Sequence, residues 1–172
     1  MILVSGGAAS GKSAFAEELV ARSGLDRRVY LATMQVWDRE SERRVERHRA
    51  MRAGKGFETV VRPLDLAGAA LPAGSAVLLE DLTNLTANEC FGPQGIGGAL
   101  ERLTAGLERA MAAPALLVAV TGELFSDGEA YGEETAAYLD CLARLNREAA
   151  ARADRVYEVV CGLPVQWKGG RA

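Results

Sequence analysis

At 172 residues, with 49% hydrophobic and 25% charged side chains, the chain has the make-up of one globular domain with a sizeable core. A net charge of −3 gives no electrostatic case for nucleic acid or an anionic membrane, and no apolar run approaches the length of a membrane span. Cys90, Cys141 and Cys161 are odd in number, widely spaced and without a C-x-x-C pair, so reduced, mostly buried thiols are expected rather than a disulfide framework or a metal site.

Met1 leads straight into an apolar run, which leaves no room for a signal peptide and makes a cytoplasmic setting the expectation. That run, Ile2-Leu3-Val4-Ser5, ends in a glycine pair, and the chain then reads G-x-x-x-x-G-K-S through Gly6, Gly7, Ala8, Ala9, Ser10, Gly11, Lys12 and Ser13. A strand, a glycine-rich loop and a helix in this register form the phosphate-binding P-loop pattern. Gly6 and Gly11 allow the backbone to bend until successive N–H groups converge on one anion, and the helix aims its positive end at the same point. Lys12 can reach the β- and γ-phosphates, and the Ser13 hydroxyl can ligate Mg²⁺. The chain has three lysines against seventeen arginines, yet lysine stands in the loop, where a slim ammonium on a flexible stem is needed. Binding of a nucleoside triphosphate follows.

Residues 12–22 read as a helix with Phe15, Leu19 and Val20 at helical spacing and Gly24 as its stop. Residues 29–32 are a buried strand ending at Thr33, Met34 and Gln35. Residues 38–55 differ in kind: seven basic and four acidic residues, with Val45 and Met51 the only larger apolar side chains, predict a helix without a core-facing stripe. Short strands follow over 57–62, closed by Pro63, and over 76–79, which delivers Glu80 and Asp81 at its carboxyl end. Residues 83–90 suggest a short helix and 91–98 a glycine-rich loop. A second helix over 99–111 presents Leu100, Leu103, Leu107 and Met111 on one face. An apolar strand over 115–120 ends at Thr121-Gly122-Glu123, a helix spans 133–152, and strands over 155–160 and 163–167 flank Gly162.

Strands alternating with helices, several of them apolar throughout, predict a single P-loop NTPase-like domain over 1–172. Its architecture is a three-layer α/β fold, a mainly parallel sheet with helices on both faces. Right-handed crossovers then gather the strand carboxyl ends, and the ligand site, along one edge. Glu80, at the end of an apolar strand beside the P-loop strand, is the candidate acid for Mg²⁺, with Asp81 its rival. His48, the only histidine, sits among Arg44, Arg47, Arg49 and Arg52. Those arginines would depress the imidazole pKa and hold phosphates, so that a neutral histidine could act as nucleophile or base; an incidental histidine on a solvated charged helix reads the same pattern equally well.

Taken together, G-G-A-A-S-G-K-S, A-T-M-Q, R-V-E-R-H-R-A-M-R followed by F-E-T, L-L-E-D-L-T-N-L-T-A-N, V-T-G-E and L-N-R-E-A-A resemble the bifunctional adenosylcobinamide kinase/adenosylcobinamide-phosphate guanylyltransferases of cobalamin synthesis, in the same order over nearly the whole chain. The resemblance implies two reactions on adenosylcobinamide. The first phosphorylates the hydroxyl of its aminopropanol arm with ATP or GTP. The second transfers GMP from GTP to adenosylcobinamide phosphate through a guanylylated histidine, which His48 matches. It also implies nucleotide contacts from Thr33, Met34 and Gln35, from Arg49, Ala50, Met51 and Arg52, and from Glu80, and it implies a homotrimer. The chain departs from the family pattern at Phe57 and Val61 (family W-x-T-x-E), over 122–125 (family N-E-V-G) and at Leu139 and Ala143, changes that bear on base and corrinoid recognition more than on phosphate chemistry. The residues also accommodate a small-molecule kinase without guanylylation and a non-catalytic nucleotide switch.

Overall fold

The computed structural model describes residues 1–35, 43, 54–125 and 131–170. The elements run β1 (Ile2–Ser5), α1 (Lys12–Ala21), β2 (Arg28–Ala32), β3 (Phe57–Val61), a 3-10 turn (Leu66–Gly68), β4 (Ala76–Glu80), α2 (Leu82–Phe91), α3 (Ala99–Ala112), β5 (Leu116–Val120), α4 (Glu133–Arg152), β6 (Arg155–Val160) and β7 (Leu163–Lys168). The strands and helices expected within the described residues are present with ends shifted by at most one residue. The helix expected over 38–55 falls largely outside them, as do His48, Arg49, Ala50, Met51 and Arg52.

One seven-stranded sheet runs in the order β3-β2-β4-β5-β1-β6-β7. Every neighbouring pair is parallel except β6 and β7, which form an antiparallel hairpin at the edge. The central strands are apolar throughout because both faces are covered. Alternate residues serve opposite cores. Leu3, Leu31, Leu79 and Ala119 pack with Leu85 of α2, Leu103 and Leu107 of α3 and Leu142 and Leu145 of α4. Ile2, Val4, Tyr30, Leu78 and Val118 pack with Ala16 and Val20 of α1 on the other side. These are the three layers predicted from the alternation of elements.

The strand order corrects one expectation. The acid-bearing strand β4 does not neighbour the P-loop strand β1; β5 stands between them. The acid still reaches the loop because α1 lies across β5 and β4 as well as β1, and so carries its first turn over the intervening strand.

Two of the three cysteines are buried as expected, Cys90 on α2 and Cys141 on α4, while Cys161 is exposed in the β6–β7 turn; all three are free thiols. The loop over 92–98 is held by Arg102 of α3, which donates to the carbonyls of Gly95 and Gly97 and to the buried carboxylate of Glu89 at 2.9 Å. Glu89 also accepts the Asp65 N–H at 2.8 Å, so its buried charge is fully engaged.

Candidate active site

β1 ends at Ser5 and the chain turns at Gly6, where a Cβ would lie 2.7 Å from the Val159 carbonyl oxygen and 2.6 Å from Ser10 Oγ. Only glycine fits there. Gly11, the residue before α1, has φ +93°, and Ala9 also takes a left-handed conformation at φ +56°. Gly7 has no Cβ neighbour within 4 Å; its carbonyl accepts the Ser10 N–H at 3.3 Å and Lys12 Nζ at 3.0 Å. Ala8 and Ala9 are exposed at the crest of the loop. The loop is tied to β5 through the Glu123 N–H, which donates to the Gly6 carbonyl at 3.2 Å.

Ser13 Oγ donates to Glu80 Oε1 at 2.5 Å, which joins the two parts of the site across 67 residues. The second carboxylate oxygen, Glu80 Oε2, is buried and has no hydrogen-bond partner among the described residues; neither has Ser10 Oγ in the loop. A buried carboxylate oxygen without a donor carries a large desolvation cost, and a cation or a ligand would relieve it. Burial is the main cause that raises the Glu80 pKa to about 7, with the Asp81 and Glu17 charges adding and the Ser13 hydrogen bond and Lys12 opposing. Glu17, buried on α1 one turn beyond Ser13, is neutralised by Lys55 Nζ at 2.5 Å. Asp81 is also raised by burial, against backbone N–H groups of Asn84 and Thr83 and the Lys12 charge. Its carboxylate accepts the Asn84 N–H at 2.6 Å and so caps α2. That cap leaves Glu80 as the carboxylate directed at the loop.

The donor set suits Mg²⁺: a hydroxyl and one carboxylate beside a phosphate cradle, oxygen throughout. Among the described residues no group of three or more His, Cys, Asp or Glu side chains could hold a metal by itself. Mg²⁺ accords with that, since it is usually held by one or two protein oxygens together with substrate phosphates and water.

Thr33 directly follows β2. It is fully buried, its Oγ1 lies 2.9 Å from both the Glu80 and the Asp81 carbonyl oxygens, and it accepts the Asp81 N–H at 2.8 Å. Its own N–H donates to the Glu80 carbonyl at 3.0 Å. The side chain therefore clasps the backbone that presents Glu80. Met34 and Gln35 follow, half-buried, at the open end of β2. Thr33→Val, which keeps the shape and removes the hydroxyl, is expected to slow phosphoryl transfer roughly tenfold and to destabilise by about 1–3 kcal/mol, with Thr33→Ser restoring both. A Thr33→Val enzyme with unchanged kcat would show that the clasp does not hold the acid.

Sequence reasoning assigned no role to several residues that frame this site. Asn88 Nδ2 donates to the Thr33 carbonyl at 2.8 Å and the Pro63 carbonyl at 2.9 Å, binding α2 to the ends of β2 and β3. Thr83 Oγ1 accepts the Gly122 N–H at 2.7 Å, and Thr121 Oγ1 donates to Asn146 Oδ1 at 2.7 Å. The segments E-D-L-T-N, V-T-G-E and L-N-R-E thus meet as a brace behind the nucleotide loop. Gly122, at a departure from the family pattern, is needed in this arrangement, since a Cβ there would lie 2.9 Å from Thr83 Oγ1. Leu139, at another departure, packs against the core. No helix among the described residues is long and apolar enough to cross a membrane.

The profile of the family described as cobinamide kinase / cobinamide phosphate guanyltransferase matches residues 2–167. The bifunctional adenosylcobalamin biosynthesis protein CobP of Pseudomonas aeruginosa is 37% identical over 97% of this chain and 96% of its own length. The bifunctional adenosylcobalamin biosynthesis protein CobU of Escherichia coli is 34% identical over 98% of this chain and 99% of its own. In backbone alone, the chain superimposes with TM-score 0.56 and 14% identity on an ATPase of a type III secretion system, of which it spans 56% while being covered over 96% of its own length. That likeness concerns the P-loop NTPase fold. The extent of the profile match and the identity to full-length relatives decide the rest: this chain belongs to the cobinamide kinase / cobinamide phosphate guanyltransferase family.

Proposed function

We propose that the protein phosphorylates the aminopropanol hydroxyl of adenosylcobinamide with ATP or GTP, and then transfers GMP from GTP to the resulting phosphate through His48. The observation that carries the kinase half is the Ser13–Glu80 contact at 2.5 Å with Glu80 Oε2 left over beside the phosphate loop. Ser13 and Glu80 would hold Mg²⁺, which would supply positive charge against the nucleotide's phosphates. Backbone N–H groups from Gly6 to Ser13 bind the phosphates, and Lys12, now resting on the Gly7 carbonyl, turns its ammonium onto the transferring group. Glu80 holds the cation in its ionised form, and Asp81, fixed by its cap, orients the strand end from which Glu80 projects.

Family membership favours a transferase over a nucleotide switch, and the near full-length match favours both reactions over the kinase alone. Assembly as a homotrimer in the cytoplasm belongs to the same reading. Incubation with adenosylcobinamide, ATP, GTP and Mg²⁺, followed by mass analysis, is expected to yield adenosylcobinamide phosphate and then adenosyl-GDP-cobinamide with pyrophosphate. Accumulation of the phosphate without the second product would reduce the reading to a kinase, and no corrinoid product at all would remove it.

A further inference from the structure

The sequence marks the last two strands only as strands separated by Gly162, and in the structure their turn lies against the nucleotide loop. β6 runs beside β1 with Ser5 opposite Glu158, and Ser5 Oγ donates to the Tyr157 carbonyl at 3.3 Å. One residue further, the Val159 carbonyl occupies the space that a Cβ on Gly6 would need. The hairpin closes with Cys161 and Gly162 as a two-residue connection between Val160 and Leu163, both with positive φ (+51° and +81°), the signature of a mirror-image type I′ turn. In such a turn the N–H of the second central residue is not used by the strand ladder. Here the Gly162 N–H donates to the Ser10 carbonyl at 2.8 Å, and the Gly162 Cα lies 3.3 Å from where a Cβ on Gly11 would be.

We infer that the β6–β7 turn is a strut of the phosphate loop, and that Gly162 is a positioning residue for the nucleotide through its backbone N–H. The peptide between Ser10 and Gly11 is planar and trans, so a carbonyl held on Gly162 turns the Gly11 N–H to the opposite side. That N–H has no protein acceptor among the described residues, and the buried Ser10 Oγ has none either. Both are therefore free for a phosphate while the carbonyl, which would repel one, is occupied elsewhere. Gly11, at φ +93°, could otherwise let this peptide rotate, because glycine has no Cβ to resist it. The inference rests on the reading that the loop binds a nucleoside triphosphate.

Cys161 makes the strut testable at a single atom. A synthetic peptide of residues 161–172 can be joined to a thioester of residues 1–160 by native chemical ligation at Cys161, regenerating the full chain. An ester in place of the Cys161–Gly162 amide deletes the Gly162 N–H donor and also weakens the Cys161 carbonyl as an acceptor, a side effect that any backbone ester shares. Its control is an ester at the Val165 nitrogen, in the same hairpin where Val165 pairs with Glu158. With a fluorescent non-hydrolysable GTP analogue, the Gly162 ester is expected to raise Kd about three- to tenfold over the all-amide protein. The Val165 ester is expected to bind normally despite a comparable fall in Tm. A genetically encoded pair gives an independent arm: Gly162→Asn, which tolerates positive φ and keeps the N–H, should bind normally, and Gly162→Val should bind more weakly. An unchanged Kd in the Gly162 ester, equal weakening by both esters, or equal affinity in the Asn and Val variants would overturn the strut. Failure of the all-amide protein itself to bind would instead remove the nucleotide reading, and the strut with it.

Discussion

Replacing Glu80 by glutamine is expected to lower the rate of cobinamide phosphorylation by roughly 10³-fold, because it removes the ionised oxygen that in the proposed reading would hold the cation and keeps the hydrogen bond from Ser13. The same substitution should stabilise the metal-free protein at high pH. The Glu80 carboxyl titrates at about 7 in the folded protein against 4.5 when exposed, chiefly because burial disfavours its charged form. Between those values the folded chain holds a proton that the unfolded chain has released. Stability is therefore lost as pH rises from about 4.5 to about 7, by about 3 kcal/mol in all. Wild type and Glu80→Gln should have similar thermal midpoints at pH 5 without metal, whereas at pH 8 the variant should melt ~5–10 °C higher. Mg²⁺ requires the ionised carboxylate, so the wild-type apparent affinity should rise about tenfold per pH unit up to about 7 and then level off. A difference in thermal midpoint that does not change between pH 5 and 8 would exclude a raised Glu80 carboxyl.

The parts of this site that were legible in the sequence are those whose physics is local. The glycines at 6 and 11 announce themselves because the whole G-x-x-x-x-G-K-S spacing lies within eight consecutive residues, although the Val159 carbonyl and the Gly162 Cα that crowd those positions come from far along the chain. The strands were legible because burial on both faces leaves them apolar throughout. What was not legible depends on which segments become neighbours. Periodicity does not report that β5 enters between β1 and β4, so Glu80 was expected beside the P-loop strand and instead meets Ser13 through α1. Nothing near Thr33 in sequence points to the bonds of its hydroxyl with the Glu80 and Asp81 backbone, 47 and 48 residues away. Gly162 appeared only as a spacer between two strands, since nothing near it in sequence points to Ser10. The arginines around His48 leave a functional and an incidental histidine equally open, and only the family resemblance favours the first.

Replacing His48 by alanine is expected to abolish transfer of label from α-³²P-GTP to the protein while leaving phosphorylation of adenosylcobinamide intact. The two reactions act on different phosphorus atoms. Phosphorylation moves the γ-phosphoryl group to a hydroxyl and, in the proposed reading, would use Lys12, Ser13 and Glu80 but no nucleophile from the protein. In the same reading guanylylation attacks the α-phosphorus: an imidazole nitrogen of His48 would form the N–P bond as pyrophosphate leaves, and a phosphate oxygen of the acceptor would then form the P–O bond as the N–P bond breaks. The variant should therefore accumulate adenosylcobinamide phosphate and form no adenosyl-GDP-cobinamide. Stereochemistry supplies an independent measurement, because two in-line displacements restore the configuration at phosphorus and one inverts it. With GTP chiral at the α-phosphorus, the wild-type product should show net retention. Inversion would mean that the acceptor phosphate attacks GTP directly, and labelling that survives in His48→Ala would mean that another residue carries GMP; either result would remove His48 from the transfer.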